Sequence, residues 1–163
     1  MLSRREWIRL SLGGAAVALA APAVASALVD RAADTSPDAA APLDIVVYKS
    51  PSCGCCKKWE EHLRANGFKV TERSLDDLSE VKATFGVPAA VMSCHTGTIG
   101  GYVVEGHVPA DLIKRMLKER PKAAGIAVPG MPVGSPGMEQ GKPQRYDVVL
   151  FDKSSRTRVY ASR

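Results

Sequence analysis

This chain of 163 residues has no long uninterrupted hydrophobic run, no internal repeat, and only two Trp, four Tyr and three Phe. The lack of a repeat excludes solenoid and propeller architectures, which need stacked units of fixed period. The most apolar stretch, residues 10–29, is rich in Ala and Gly and broken by Pro22. That makes it weak for a membrane span of about 20 residues. A dominant charge is missing too. The formal net charge of +5 on 22 basic and 17 acidic residues is too small to argue for nucleic-acid or membrane binding. Histidine is scarce, at three residues, so few candidate imidazole ligands exist.

The basic start "MLSRREWIRL", the Ala-rich stretch and the small residues Ala23-Val24-Ala25 and Ala25-Ser26-Ala27 read as a cleaved export signal over residues 1–27. Ser3-Arg4-Arg5-Glu6-Trp7-Ile8-Arg9 resembles the twin-arginine signal, which a receptor reads. This predicts a periplasmic protein with no stable membrane insertion after cleavage. Residues 28–42, most of them the "DRAADTSPDAAAP" stretch, read as a disordered linker.

Beyond it the pattern predicts an α/β fold. "LDIVVYKS" is a buried strand. Residues 56–66 form a helix with Cys56, Trp59 and Leu63 on one face, stopped at Gly67. "FKVTERS" alternates as a second strand. Asp77 and Glu80 suggest a capping box for a helix lined by Leu78, Val81 and Phe85 and closed by Gly86. Val87-Pro88 opens "AAVMSC" as a third strand, "HTG" turns, and "GGYVVEG" is a fourth. Pro109 begins a last helix carrying Leu112, Ile113, Met116 and Leu117. The order is βαβαββα over residues 43–121. Residues 122–163 form an extension, with a Gly/Pro/Met loop and a β-hairpin turning at Lys153 to Arg156.

What the chain does have is four cysteines, three of them crowded into "SPSCGCCKKW" and the fourth in "SCHTG". In an exported protein the default would be two disulfides. Adjacent Cys55 and Cys56 make that pairing awkward. The βαβαββα order with Cys53-x-x-Cys56 at the first strand-to-helix junction is the thioredoxin and glutaredoxin arrangement. Cys55 stands where thioredoxin has proline, and Val87-Pro88 resembles the cis-proline opposite that site. A helix start favours a thiolate, which is both the nucleophile of disulfide exchange and a ligand for a soft metal.

A third thiol beside the pair favours metal, because exchange needs only two. Cys53 and Cys56 share a helix face while Cys55 points elsewhere, so the three thiolates would reach more than one ion through bridging sulfurs. Met131 and Met138, in "PGMPVGSPGME", are either hydrophobic plugs or thioether ligands, which suit Cu(I). His62 reads as a surface residue. His95 and His107 are each open between ligand and structural histidine. Zinc also takes Cys and His, but the set of thiolate, thioether and imidazole suits copper better.

"CGCCKKW", "SCHTGTIGGYVVEGHVPADLIKRML" and "GIAVPGMPVGSPGME" together resemble the CopG-type family of exported copper-resistance proteins, marked by a Cys-x-Cys-Cys motif. The likeness spans Leu43 to Asp152. It implies a thioredoxin-like domain with a C-terminal extension and copper bound through Cys53, Cys55, Cys56 and Cys94. His107, Met131 and Met138 are second-rank ligands in this reading. A role in envelope copper tolerance follows, with copper ions and another envelope copper protein as partners and copper redox chemistry open. The rival reading is a periplasmic thiol–disulfide oxidoreductase using Cys53 and Cys56, with Pro88 positioning the substrate. One geometric point stands against the set. A straight strand from Pro88 would carry Cys94 roughly 20 Å past the Cys-x-x-Cys. Three resolutions stay open: the chain doubles back, Pro88 is not the cis-proline, or Cys94 lies outside the copper site.

Overall fold

The computed structural model describes residues 43–163; the expected export signal over 1–27 and linker over 28–42 lie outside the described residues. The first strand, β1 (Leu43–Lys49), buries Ile45, Val47 and Lys49 on one face, the period of two that a strand imposes on its side chains. Helix α1 (Gly54–Ala65) lays Cys56, Trp59, Glu60 and Leu63 inward. No β-branched residue interrupts "GCCKKWEEHLRA", and most of its members are good helix formers. Gly67, at φ +84°, takes the left-handed turn that ends it. Trp59 is fully buried, so its truncation to Ala would cost about 3–5 kcal/mol.

Strand β2 (Phe68–Ser74) returns parallel to β1. Helix α2 is short, Ser79–Thr84. The expected Asp77–Glu80 capping box is replaced by a smaller device in which the Ser79 N–H donates to Asp77 Oδ1 at 2.9 Å.

The third strand differs from expectation. Residues 89–91 of "AAVMSC" form a 3-10 turn, with the Val91 N–H donating to Pro88 O, and the strand β3 is His95–Ile99. Its turn to β4 (Tyr102–Glu105) lies at Gly100-Gly101, both at positive φ, rather than at "HTG". Burial explains the shift, since His95, Thr96, Gly97 and Ile99 are all buried although only one is a large aliphatic. Helix α3 (Ala110–Glu119) follows Pro109, with Leu112, Ile113 and Met116 inward.

The expected Gly/Pro loop begins with a strand, β5 (Gly125–Ala127), parallel to β4. A Cβ on Gly125 would collide with Val103 O and the Phe151 ring, so the position is closed to other residues. The hairpin of β6 (Asp147–Phe151) and β7 (Thr157–Ser162) turns where the sequence indicates.

All these strands join one sheet, ordered β2-β1-β3-β4-β5-β6-β7. Strand β3 is antiparallel to both β1 and β4. The fold is thus mixed α/β. The main core gathers Ile45, Val47, Trp59, Leu63, Val104, Ile113, Met116 and Ile126 between sheet and helices. No helix among the described residues is long and apolar enough to cross a membrane.

Candidate metal centre

Cys53 occupies the N-cap of α1 with no side-chain cap bond. Its N–H donates to Ser50 O at 3.1 Å, closing the turn out of β1. A disulfide joins Cys53 to Cys56, while Cys55 and Cys94 are free. Each bonded sulfur has a free thiol beside it. Cys55 Sγ lies 3.5 Å from Cys53 Sγ, and Cys94 Sγ lies 3.7 Å from Cys56 Sγ. All four sulfurs fall within 4.8 Å of one another.

Cys94 reaches this place because the 3-10 turn at 89–91 breaks the straight path that would have carried it away. It stands immediately before β3, whereas Pro88 precedes that turn, six positions upstream. Burial, reinforced by the neighbouring Cys55, pushes the Cys94 thiol up to about 12.

Two imidazoles adjoin the same sulfur. His107 Nε2 is 3.0 Å and His95 Nδ1 3.2 Å from Cys94 Sγ. His107 Nδ1 donates to Pro136 O at 2.8 Å. A carbonyl only accepts, so neutral His107 carries its proton on Nδ1 and turns a lone pair toward Cys94. A backbone carbonyl fixing a tautomer in this way is the usual outer support of a metal-binding histidine. His95 is fully buried, its ring 4.2 Å from Trp59 and 5.0 Å from His107, and its Nε2 has no partner. Burial holds His95 well below the usual histidine range and lowers His107 as well. Both imidazoles are therefore neutral at neutral pH, the form that ligates.

The Gly/Pro loop closes on this cluster. A Cβ on Gly137 would stand 2.7 Å from Cys55 O, 2.9 Å from Trp59 N and 3.3 Å from His107 Nδ1. Only glycine lets the loop lie against the first turn of α1. Met138 follows it half-buried, while Met131 is 50% exposed.

Sequence reasoning missed the polar frame beneath. Glu105 is fully buried, its Oε1 accepting from Lys82 Nζ at 2.5 Å and from the Ser93 N–H at 2.6 Å. Thr96 Oγ1 donates to its Oε2 at 2.7 Å. This carboxylate holds the residue before Cys94 and sits two positions before His107. The available signal was an acid ending the apolar run "YVVE". Lys49, fully buried, pairs with Glu72 at 2.8 Å beside His95. His62 is half-buried, and its Nε2 accepts the Ala110 N–H at 3.1 Å. That satisfies a free donor at the start of α3, which has no side-chain cap of its own.

As a donor set, four sulfurs and two neutral imidazoles fit a soft or borderline cation and suit Mg or Ca poorly. With Cys53–Cys56 joined the site is in its oxidised form, since a thiolate bound into a disulfide is lost as a strong ligand. Two electrons and two protons convert Cys53–Cys56 to thiols and restore four.

A family model described as "Protein of unknown function, DUF411" matches residues 91–138, the span from Val91 through Cys94 and His107 to Met138. No curated protein matches. Two solved structures, named "Copper resistance protein copG- Form 2" and "Copper resistance protein copG- Form 1", are 52% identical to the chain. The match covers 76% of this chain and 99% and 98% of theirs, with TM-scores of 0.72 and 0.71.

Proposed function

The chain belongs to the family of copper resistance protein copG, and from that premise we propose that it holds Cu(I) on four thiolates in the cell envelope, as part of copper tolerance. The observation that carries the reading is the convergence of all four sulfurs within 4.8 Å. Cys53, Cys55 and Cys56 come from the start of one helix and Cys94 from the segment just before β3, the strand that neighbours β1. Thiolates are soft ligands with the capacity to bridge, so a multinuclear centre is the natural occupant of such a set. A single zinc takes four Cys or His ligands in one tetrahedron, so it would leave part of this crowded sulfur set unused.

A dithiol reductant first opens Cys53–Cys56. Each arriving Cu(I) then takes the place of thiol protons, which pass to solvent. His107, with its lone pair already aimed at Cys94 Sγ, serves as an added donor, and Met138 as a weaker one. The Gly137 loop covers the helix start and limits water.

Residues 43–121 act as a thioredoxin-like domain, supported by the β2-β1-β3-β4 order with the cysteine motif between β1 and α1. Residues 122–163 extend it. Residues 1–27 serve as an export signal, and another envelope copper protein as donor or acceptor.

Disulfide exchange is the second reading, favoured by the Cys53–Cys56 bond itself. The Pro88 role does not pass to it unchanged, because Cys94, rather than Pro88, directly precedes β3. An anaerobic Cu(I) titration of the reduced protein against a chromophoric chelator, with copper per chain counted by elemental analysis, separates the two. Uptake of more than one copper, lost in Cys55→Ser, supports the centre. Defeat by the chelator, together with Cys53–Cys56 exchange that survives Cys55→Ser, replaces it with the oxidoreductase.

A further inference from the structure

The described part of the chain exposes four large hydrophobic side chains, Leu75, Met92, Met131 and Val159. Two of the four are methionines, on neighbouring segments. Met92 is 42% exposed and lies two positions before Cys94; Met131 is 50% exposed and lies in the Gly/Pro loop. Their segments are tied together. The Gly130 N–H donates to Met92 O at 3.4 Å, and Ser93 Oγ donates to Gly130 O. The backbone of one methionine is thus bonded to the residue directly before the other. Ser93, between Met92 and Cys94, is fixed from within by Glu105.

Neither exposed methionine is explained by packing, since both leave about half their surface in water. Each is a flexible, unbranched thioether. Thioethers select Cu(I) over hard cations and bind it more loosely than thiolates do. We propose that Met92 and Met131 form a thioether docking site where Cu(I) is received before it passes to the cysteine cluster. This rests on the copper reading above and adds a second, outer site to it. The transfer changes no oxidation state. Copper stays Cu(I), a thioether–copper contact breaks as a thiolate–copper contact forms, and the proton of the incoming thiol goes to solvent.

The test uses the full chain, pre-reduced with a phosphine under anaerobic conditions and mixed with Cu(I) supplied as a chelate. Loading is followed by loss of the chelate's colour and scaled to each protein's own final copper content. Met92→Leu keeps the apolar volume and removes the sulfur. It is expected to slow loading about tenfold, the rate equivalent of about 1.4 kcal/mol in the barrier. Ag(I), a redox-inert stand-in added beyond what the four thiols take up, is expected to shift the 13C-labelled ε-methyl signals of Met92 and Met131 together. Wild-type loading speed in Met92→Leu, or unmoved Met92 and Met131 methyl signals, overturns the docking site and leaves the cluster standing. A wild-type chain that takes no copper from the chelate overturns the underlying reading as well.

Discussion

Cys94 Sγ lies 3.7 Å from Cys56 Sγ, although the two residues are 38 positions apart. The contact joins the start of β3 to the first turn of α1. It depends on a kink at 89–91 and on the Glu105 carboxylate that grips Ser93. The fourth sulfur is therefore delivered by tertiary structure, whereas the first three arrive with their helix.

Cys94→Ser tests that division. The helix-borne thiols remain, but the set loses the member that also touches both imidazoles. Loss of a direct ligand should exceed the 10–100-fold typical of losing an outer-shell partner, so Cu(I) affinity should fall by more than about 100-fold. Chelator competition measures it, and an affinity within tenfold of wild type would remove Cys94 from the centre.

Gly137→Ala should lift the loop from α1. The added Cβ meets backbone at 2.7 and 2.9 Å, at a φ of +86°, and backbone does not yield as a side-chain tip does. Overpacking of this kind costs about 1–3 kcal/mol. Urea unfolding of the metal-free protein should show the lower midpoint, and limited proteolysis should cut faster within residues 129–144. Unchanged cleavage would mean the loop is held elsewhere.

Glu105→Gln keeps shape but strands the Lys82 ammonium in the interior. Breaking a buried pair from one side costs about 3–5 kcal/mol. Adding Lys82→Met should recover part of the loss, because the orphaned charge is gone. The experiment is a double-mutant cycle by denaturant unfolding. Additive losses would show that the two residues do not act as a pair.

Acid should destabilise the metal-free protein through its histidines. Burial lowers His62, His95 and His107 in the folded state, whereas an unfolded histidine titrates near about 6.5. The unfolded chain therefore binds more protons as pH falls below that value. The stability present above it is lost on acidification. Melting temperatures between pH 8 and pH 5 should fall with this sign. His62→Gln, whose amide oxygen can still accept the Ala110 N–H, should flatten the slope; an identical slope would acquit His62.

The first helix was legible because its periodicity, its junction with an apolar strand and its terminal glycine all agree. The hairpin was legible because two strand-like runs flank the polar turn at residues 153–156. Strand β3 was not. His95-Thr96-Gly97-Thr98 carries little aliphatic character, and its burial comes from lying between β1 and β4, a property of neighbours rather than of the segment. The short strand β5 hid in a Gly/Pro-rich stretch because its glycine is demanded by a contact with Val103 and Phe151. Among the site residues, the cysteines announced themselves by spacing. His95 and Glu105 acquire meaning only through burial and partners. His62, read as surface, works as an acceptor for another helix.

That bond from His62 to Ala110 has a mechanical meaning. Helix α1 carries three of the sulfurs, and the start of α3 lies three residues after His107. With the two tied at that point, and His107 tied in turn to Pro136, thiols, imidazole and covering loop cannot shift independently. On the copper reading, these ties should make the centre a stiff socket rather than a pouch that moulds itself to its guest. An ion that demands more ligands, or longer reach, meets resistance from the whole frame before donor chemistry is consulted. Size and coordination number thus join softness as filters, and the first of these filters is built from hydrogen bonds that never touch the metal.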